Sequence, residues 1–582
     1  MNSFAHSRPF GETTAIDAKE SPLLTVRLLH ALGNLAERHG WLFFAVISLA
    51  CGLGALENNL ATRRLDHDEL FTFYIAQAPT VGQLLKVSQT VDLQPPLSYL
   101  LVRLSFSIFG ISAWSCRLPF LLAYGGFAGL LFYFVRRLVS PVYGLIATLL
   151  LWSTPYTSLA TEARPYALLL CFTALMLVMW YGQANQDSRS RNKAGLIAVA
   201  LAGFCLLLSH VFGVLVYSAV LGAEIMRQWG SRKSDWRLWI ALQTPLVAVI
   251  TYLPLFHNHS TMMFAEEYRV TPLALLAFYW ESIRFLALPL AFIAVLGLLW
   301  PVFQKEPVAI PPRNPLTTRA SLVFLLVCLS LLPMGIAILL ARSHTAFFNR
   351  YGIIWLVPFA VVPALFLGYR TRRNQIAGTL AAVSLVVVFF FNTAGKPWLI
   401  GQVSSILPAK AAAKLLYVLA LPPILSVQCP AIPAPLRAEL ATAPFFSHLN
   451  TVVPELPLVA ATALTFLELD HQEGLEVAQR LYMLTDEQAA ATIAHDTVFA
   501  HYENVKAAFP MIRGKVEGYC AFTSAHPRFV VVGAYNNPQG WLLRKLDRDG
   551  AQLRAIGTCQ NNTEDCQIYE VGIQNNRCSQ SR

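Results

Sequence analysis

Long apolar stretches separated by short polar connections make up the first two thirds of the chain. Runs of roughly 17–22 residues match the length of helix that crosses a hydrocarbon core. They predict spans at about 41–60, 118–135, 142–159, 165–182, 194–209, 211–226, 237–256, 284–303, 320–341, 351–369 and 375–393. Pro96 to Phe109 is apolar but too short to cross, with Arg103 at its middle, and predicts an amphipathic helix lying in the interface. From about 396 the pattern changes to a Pro-rich stretch and then to short apolar runs broken by charge. Pro457 to Leu469, Arg528 to Ala534 and Ile568 to Ile573 read as strands; Leu475 to Leu484 and Gln488 to Ile493 read as helices. The expected fold is a polytopic α-helical membrane protein of about eleven transmembrane helices, followed by a soluble α/β domain.

Composition agrees with the patterning. Of 582 residues, 55% are hydrophobic and 13% charged, about half the charge of a soluble protein. The formal net charge of +11 is topological and does not indicate nucleic acid. Arg136-Arg137, Arg189/Arg191/Lys193, Arg227/Arg232/Lys233, Lys305/Arg313/Arg319 and Arg370/Arg372/Arg373 fall in every second connection, which the positive-inside rule assigns to the cytoplasm. Arg63-Arg64 run against this trend. Residues 1–40 are then a cytoplasmic tail without a cleavable leader, 41–395 the membrane domain, 61–117 its first extracytoplasmic loop, and 396–582 an extracytoplasmic domain. A twelfth span at 404–427 would reverse the last assignment, but Lys410, Lys414 and Pro422-Pro423 argue against it.

Five of the ten cysteines lie in or beside apolar segments. The other five lie in the C-terminal part, where Cys559 and Cys566 flank a polar turn suited to a disulfide in an oxidising compartment. No cysteine or histidine spacing makes a metal site; His257, His259 and Glu266-Glu267 complete no ligand pattern, and no cofactor is expected.

Charge parity gathers a second group of residues on one membrane face. Asp66, His67, Asp68 and Glu69 come from the first loop, Glu162 and Arg164 from the second, and His210, His257 to Arg269 and His344 to Tyr351 from later ones. A carboxylate can take a proton from an acceptor hydroxyl, and arginines can hold phosphate and stabilise charge on a departing phosphate oxygen. Together they suit transfer from a lipid-borne phosphate.

Asp66-His67-Asp68-Glu69-Leu70-Phe71-Thr72, Gln94-Pro95-Pro96-Leu97-Ser98-Tyr99, Cys116-Arg117-Leu118-Pro119-Phe120 and Thr161-Glu162-Ala163-Arg164-Pro165-Tyr166 occur in this order. The pattern resembles bacterial family 39 glycosyltransferases, which have the C-type glycosyltransferase fold and are related to the protein O-mannosyltransferases and the lipid A aminoarabinose transferase. The resemblance covers about 40–395 and is sharpest over 66–168. It implies an inner-membrane enzyme that inverts the anomeric centre of a polyprenyl-phosphate sugar, with Asp68 and Glu69 as the catalytic pair. It also implies substrate contacts from Asp66, His67, Gln94, Glu162, Arg164, Tyr166, Arg350 and Tyr351, with Arg164 and Arg350 on the phosphate. Relatives commonly have His before the Pro-Pro pair; Gln94 stands there here and suits hydrogen bonding rather than proton transfer. The expected partners are the donor, membrane lipid and an unassigned acceptor. A transporter or flippase is the rival reading, but transporters place their sites near the bilayer midplane, and here the carboxylates lie mostly in loops. A membrane-anchored binding protein would explain the soluble domain but not the acidic loop.

Overall fold

The computed structural model describes residues 24–59, 64–186, 191–232, 234–260, 270–284, 286–303, 316–342, 347–390, 455–497, 506, 509, 511–558 and 567–574. The proposed boundary near 396, the segment 404–427, Cys559, Cys566, His344 and Glu266-Glu267 lie outside them.

Among the described residues the membrane domain is built of helices. It opens with α1 (Leu24–Asn59), α2 (His67–Ala76), α3 (Val81–Val87), α4 (Leu97–Phe109), α5 (Ala113–Leu138), α6 (Pro141–Trp152), α7 (Tyr166–Ala184) and α8 (Lys193–Ser209). It continues with α9 (Gly213–Ser231), α10 (Trp236–Gln243), α11 (Tyr252–Ser260), α12 (Pro272–Arg284), α13 (Ala287–Phe303), α14 (Leu316–Arg342), α15 (Leu356–Arg370) and α16 (Gln375–Phe390). Each predicted span overlaps one of these helices, that at 237–256 running through α10, a 3-10 segment (Thr244–Thr251) and α11. Among the described residues five helices are long and apolar enough to cross a membrane, and six if the bent pair Leu275–Arg284 and Ala287–Val302 is one span. The predicted spans at 142–159, 194–209 and 375–393 correspond to α6, α8 and α16, apolar helices of 10–17 residues. All twelve residues of α6 are buried, packed among α1, α5, α15 and α16, so protein rather than lipid surrounds it. Leu104, Ile108 and Phe109 of α4 are exposed, whereas Tyr99, Val102 and Phe106 pack inward, and Arg103 donates to the carbonyls of Ala78 and Pro79. This is the two-sided helix its sequence predicts.

Among the described residues, connections meet at two ends of the bundle. At one end Arg373 donates to the Leu138 carbonyl (3.2 Å), Ser140 to Glu37 (2.5 Å) and Gln375 to Asn34 (3.1 Å). There, too, Glu224 takes hydrogen bonds from Trp180 (3.0 Å) and Arg227 (2.9 and 2.6 Å), and Arg191 pairs with Asp235. The first acidic loop, the 160–166 turn, His210 and Arg350 meet at the other end.

The C-terminal domain holds a six-stranded sheet of order β3-β2-β1-β4-β6-β5. The strands are β1 (Leu458–Ala460), β2 (Leu481–Thr485), β3 (Lys515–Gly518), β4 (Arg528–Gly533), β5 (Gln552–Thr558) and β6 (Gln567–Gly572). The first four are parallel and the last two antiparallel. Helices α17 (Ala463–Gln472), α18 (Leu475–Gln479), α19 (Tyr519–Ala525) and α20 (Trp541–Arg548) accompany them. The expected strand 457–469 is a three-residue strand that turns into α17, because Thr462 caps a helix by accepting the Thr465 N–H (3.3 Å). The expected helix 475–484 ends at Gln479, and Leu481 to Thr485 form β2, buried on both faces as a parallel strand requires.

Candidate active site

The acidic cluster begins a helix. Asp66 Oδ1 accepts the backbone N–H groups of Asp68 (3.0 Å) and Glu69 (3.3 Å), and Glu69 Oε2 accepts the Asp66 N–H (3.1 Å). This is a capping box, and it sends the side chains of Asp68 and Glu69 in different directions. Glu69 points inward and is fully buried. Arg117 of α5 donates Nε to one oxygen (2.7 Å) and Nη2 to the other (2.6 Å), and the Ala163 N–H adds a third bond (2.8 Å). Both oxygens are thus engaged, and Glu69 ties α2 to α5 and to the turn that carries Arg164. The resemblance placed Glu69 in the catalytic pair; in the structure both its oxygens are bonded to Arg117 and Ala163, away from Asp68's partners.

Asp68 faces the opposite way, toward cations. Arg350 Nη1 lies 2.5 Å from Oδ2, His67 Nε2 lies 3.9 Å from Oδ1, and Arg164 donates to the Asp68 carbonyl at 3.1 Å. Burial pushes the Asp68 carboxyl up, but Arg164, Arg350 and His67 outweigh it and hold the pKa at about 2, so the group is ionised at neutral pH.

A second carboxylate enters from a π-helical turn, Ser88–Asp92, after which Leu93 takes a left-handed conformation (φ 53°) that reverses the chain. Asp92 receives a two-pronged grip from Arg164 (2.7 and 3.2 Å) and a hydrogen bond from Tyr99 (2.6 Å). Burial raises its pKa despite these partners. Asp92, Tyr99 and Arg117 are the residues that reading the sequence missed as site members, although Tyr99 and Arg117 lie in quoted motifs and Asp92 two residues before one. Their partners are 72, 7 and 48 positions away, and no local pattern marks such pairs.

The remaining candidates surround this core. Glu162 is half-buried on the turn that presents Arg164, its carbonyl accepting the Arg164 N–H (2.8 Å). Tyr166 is buried with its ring 5.2 Å from that of His210. His210 Nδ1 accepts the Phe212 N–H (3.0 Å), and Gln94 Oε1 accepts the Val211 N–H at 3.5 Å, so Gln94 steadies the His210 turn. Tyr351 packs edge-on against Phe212 at 5.4 Å. His67 turns away from this group, with Nδ1 3.2 Å from Glu468 of α17. Around that contact Gln472 donates to the Leu65 carbonyl (3.1 Å), Arg64 donates to Gln472 (3.2 Å), and His471 packs against Phe73 and Tyr74. Arg64, the basic residue at odds with the charge pattern, therefore serves to dock the C-terminal domain. Among the described residues no three His, Cys, Asp or Glu side chains cluster as metal ligands.

The result is two carboxylates interleaved with two guanidiniums at one end of a helical bundle, Arg164 buried and Asp68, Asp92 and Arg350 half-buried. Such a site can exchange a bound carboxylate for a phosphate and leave a base beside it. Residues 93–259 match the family described as dolichyl-phosphate-mannose-protein mannosyltransferase. No curated protein sequence matches. Among solved structures, ArnT from Cupriavidus metallidurans bound to undecaprenyl phosphate is similar, with a TM-score of 0.50 and 15% identity over 91% of this chain and 98% of that one. The apo state of the same protein gives 0.49 and 14%. The chain has the ArnT-like C-type glycosyltransferase fold.

Proposed function

We propose that this chain is an integral-membrane glycosyltransferase that moves a sugar from a polyprenyl-phosphate donor to an acceptor hydroxyl, with inversion at the anomeric carbon. The observation that carries the reading is Asp68, ionised and held between Arg350 and Arg164. Undecaprenyl phosphate bound to the similar ArnT supports the choice of donor. In this reading the donor phosphate displaces Asp68 from Arg350 and takes charge-assisted bonds from the guanidinium. Asp68, relieved of one cation, becomes more basic and takes the acceptor proton. The acceptor oxygen attacks the anomeric carbon as its bond to the phosphate oxygen breaks, and polyprenyl phosphate leaves with the electron pair. A single displacement of this kind inverts the centre. Arg164 stays anchored by Asp92 and stabilises the departing charge.

The positive-inside pattern supports an extracytoplasmic position for this end of the bundle, and the disulfide at Cys520 suits a C-terminal domain in an oxidising compartment. The test is Asp68→Asn in membranes supplied with labelled polyprenyl-phosphate sugar. Transfer falls by about 10²–10⁴-fold, while expression and binding of undecaprenyl phosphate persist. Undiminished transfer would overturn the assignment of the base.

A further inference from the structure

His67 sits beside the proposed base, yet its ring bridges two domains. Nδ1 lies 3.2 Å from Glu468 and Nε2 lies 3.9 Å from Asp68. A neutral imidazole has one N–H and one lone pair, so it would turn a lone pair toward one of the two carboxylates. Only the imidazolium offers a proton on each side. The charged groups facing the ring are Asp66 and Asp68 from α2 and its cap and Glu468 from α17, with Arg350 and Arg164 behind Asp68. Burial lowers the ring's pKa, but the Glu468 hydrogen bond and the fields of Asp68, Asp66 and Glu468 more than reverse this and raise it to about 9. Glu468 owes its position to the docking of α17. The Thr462 cap starts the helix, Gln472 and Arg64 tie its end to the first loop, and His471 fits against Phe73 and Tyr74.

We infer that the C-terminal domain completes the active site: Glu468 holds His67 as an imidazolium, which in turn orients Asp68. Both are positioning residues, and the inference rests on Asp68 being the base. Its physical sense lies in the double use of Arg350. Once a donor phosphate engages that guanidinium, Asp68 loses its nearest cation. The imidazolium is fixed from the other domain, so it stays in place and keeps the carboxylate aimed and ionised.

Two measurements on the full-length protein test this. The first requires no sugar: ¹⁵N-histidine spectra followed through pH, with the His67 resonance assigned by its disappearance in His67→Gln. The His67 midpoint lies near 9, and Glu468→Gln, nearly isosteric, lowers it by roughly 1–3 pH units. An unmoved midpoint would overturn the link. The second is transfer from labelled polyprenyl-phosphate sugar. Glu468→Gln lowers kcat about 10- to 100-fold with the donor KM little changed, Glu468→Asp recovers part of the loss, and adding His67→Gln costs little more. Full kcat in Glu468→Gln alongside an inactive Asp68→Asn would sink the positioning role and leave the glycosyltransferase reading standing. Full kcat in Asp68→Asn would remove the premise of both.

Discussion

Asp68 and Glu69 are adjacent acids with opposite fates. Glu69 is buried against Arg117, where removing either partner would strand a charge without water. Asp68 keeps its charge through cations that a substrate can draw away. Arg350→Ala makes this dependence measurable. With Arg350 gone, burial continues to raise the Asp68 pKa and one lowering charge is lost, so the value climbs from about 2 by roughly 1–3 pH units. The acid limb of kcat/KM, which reports the free enzyme, moves to higher pH by the same amount, apart from any loss uniform across pH. A limb that stays put would show that Arg350 does not govern the charge of Asp68. The run Asp66 to Glu69 is legible because four polar residues stand together in one continuous motif. Asp92 and Arg117 are not, because a single acid or base in or beside a motif gives no sign of a partner 72 or 48 positions away.

At the scale of elements, helices announce themselves because lipid permits no unpaired backbone, so apolar length translates directly into helix. What length does not reveal is which helix faces lipid and which is enclosed. Helix α6 reads as a span like its neighbours, yet it is buried throughout, and its approach to α5 depends on Gly144. A Cβ there would lie 2.9 Å from both the Phe132 ring and the Phe132 carbonyl oxygen, so the backbone itself would have to move. Gly144→Ala should cost about 1–3 kcal/mol, seen as a lower unfolding midpoint in detergent. Gly335→Ala, whose Cβ meets nothing within 4 Å, should leave the midpoint unchanged or raise it. The soluble domain was harder to read element by element. Leu481 to Thr485 continues a helical-looking apolar run, and only its burial between two parallel neighbours makes it a strand.

Across the molecule, among the described residues, the basic connections around Arg137, Arg191, Arg227 and Arg373 lie apart from the acidic first loop. Charge counting predicts which side of the membrane the C-terminal domain occupies. Asn536 sits exposed after β4, and Asn536→Cys should react with a membrane-impermeant thiol reagent in intact cells. Labelling that requires permeabilisation would reverse the placement. The docking of this domain on the first loop was not legible at all, since nothing in the sequence near Glu468 refers to His67.

That docking also imposes an order on the protein's biosynthesis. Glu468 lies 401 positions after His67, and a ribosome adding about 5–20 residues per second reaches it roughly 20–80 s after the loop has been made. From the moment Tyr351 is made until Glu468 follows, the newborn chain carries every residue of the transmembrane site and lacks the one that aims it. A stalled or prematurely ended translation product would therefore sit in the membrane, able to engage donor but slow to consume it.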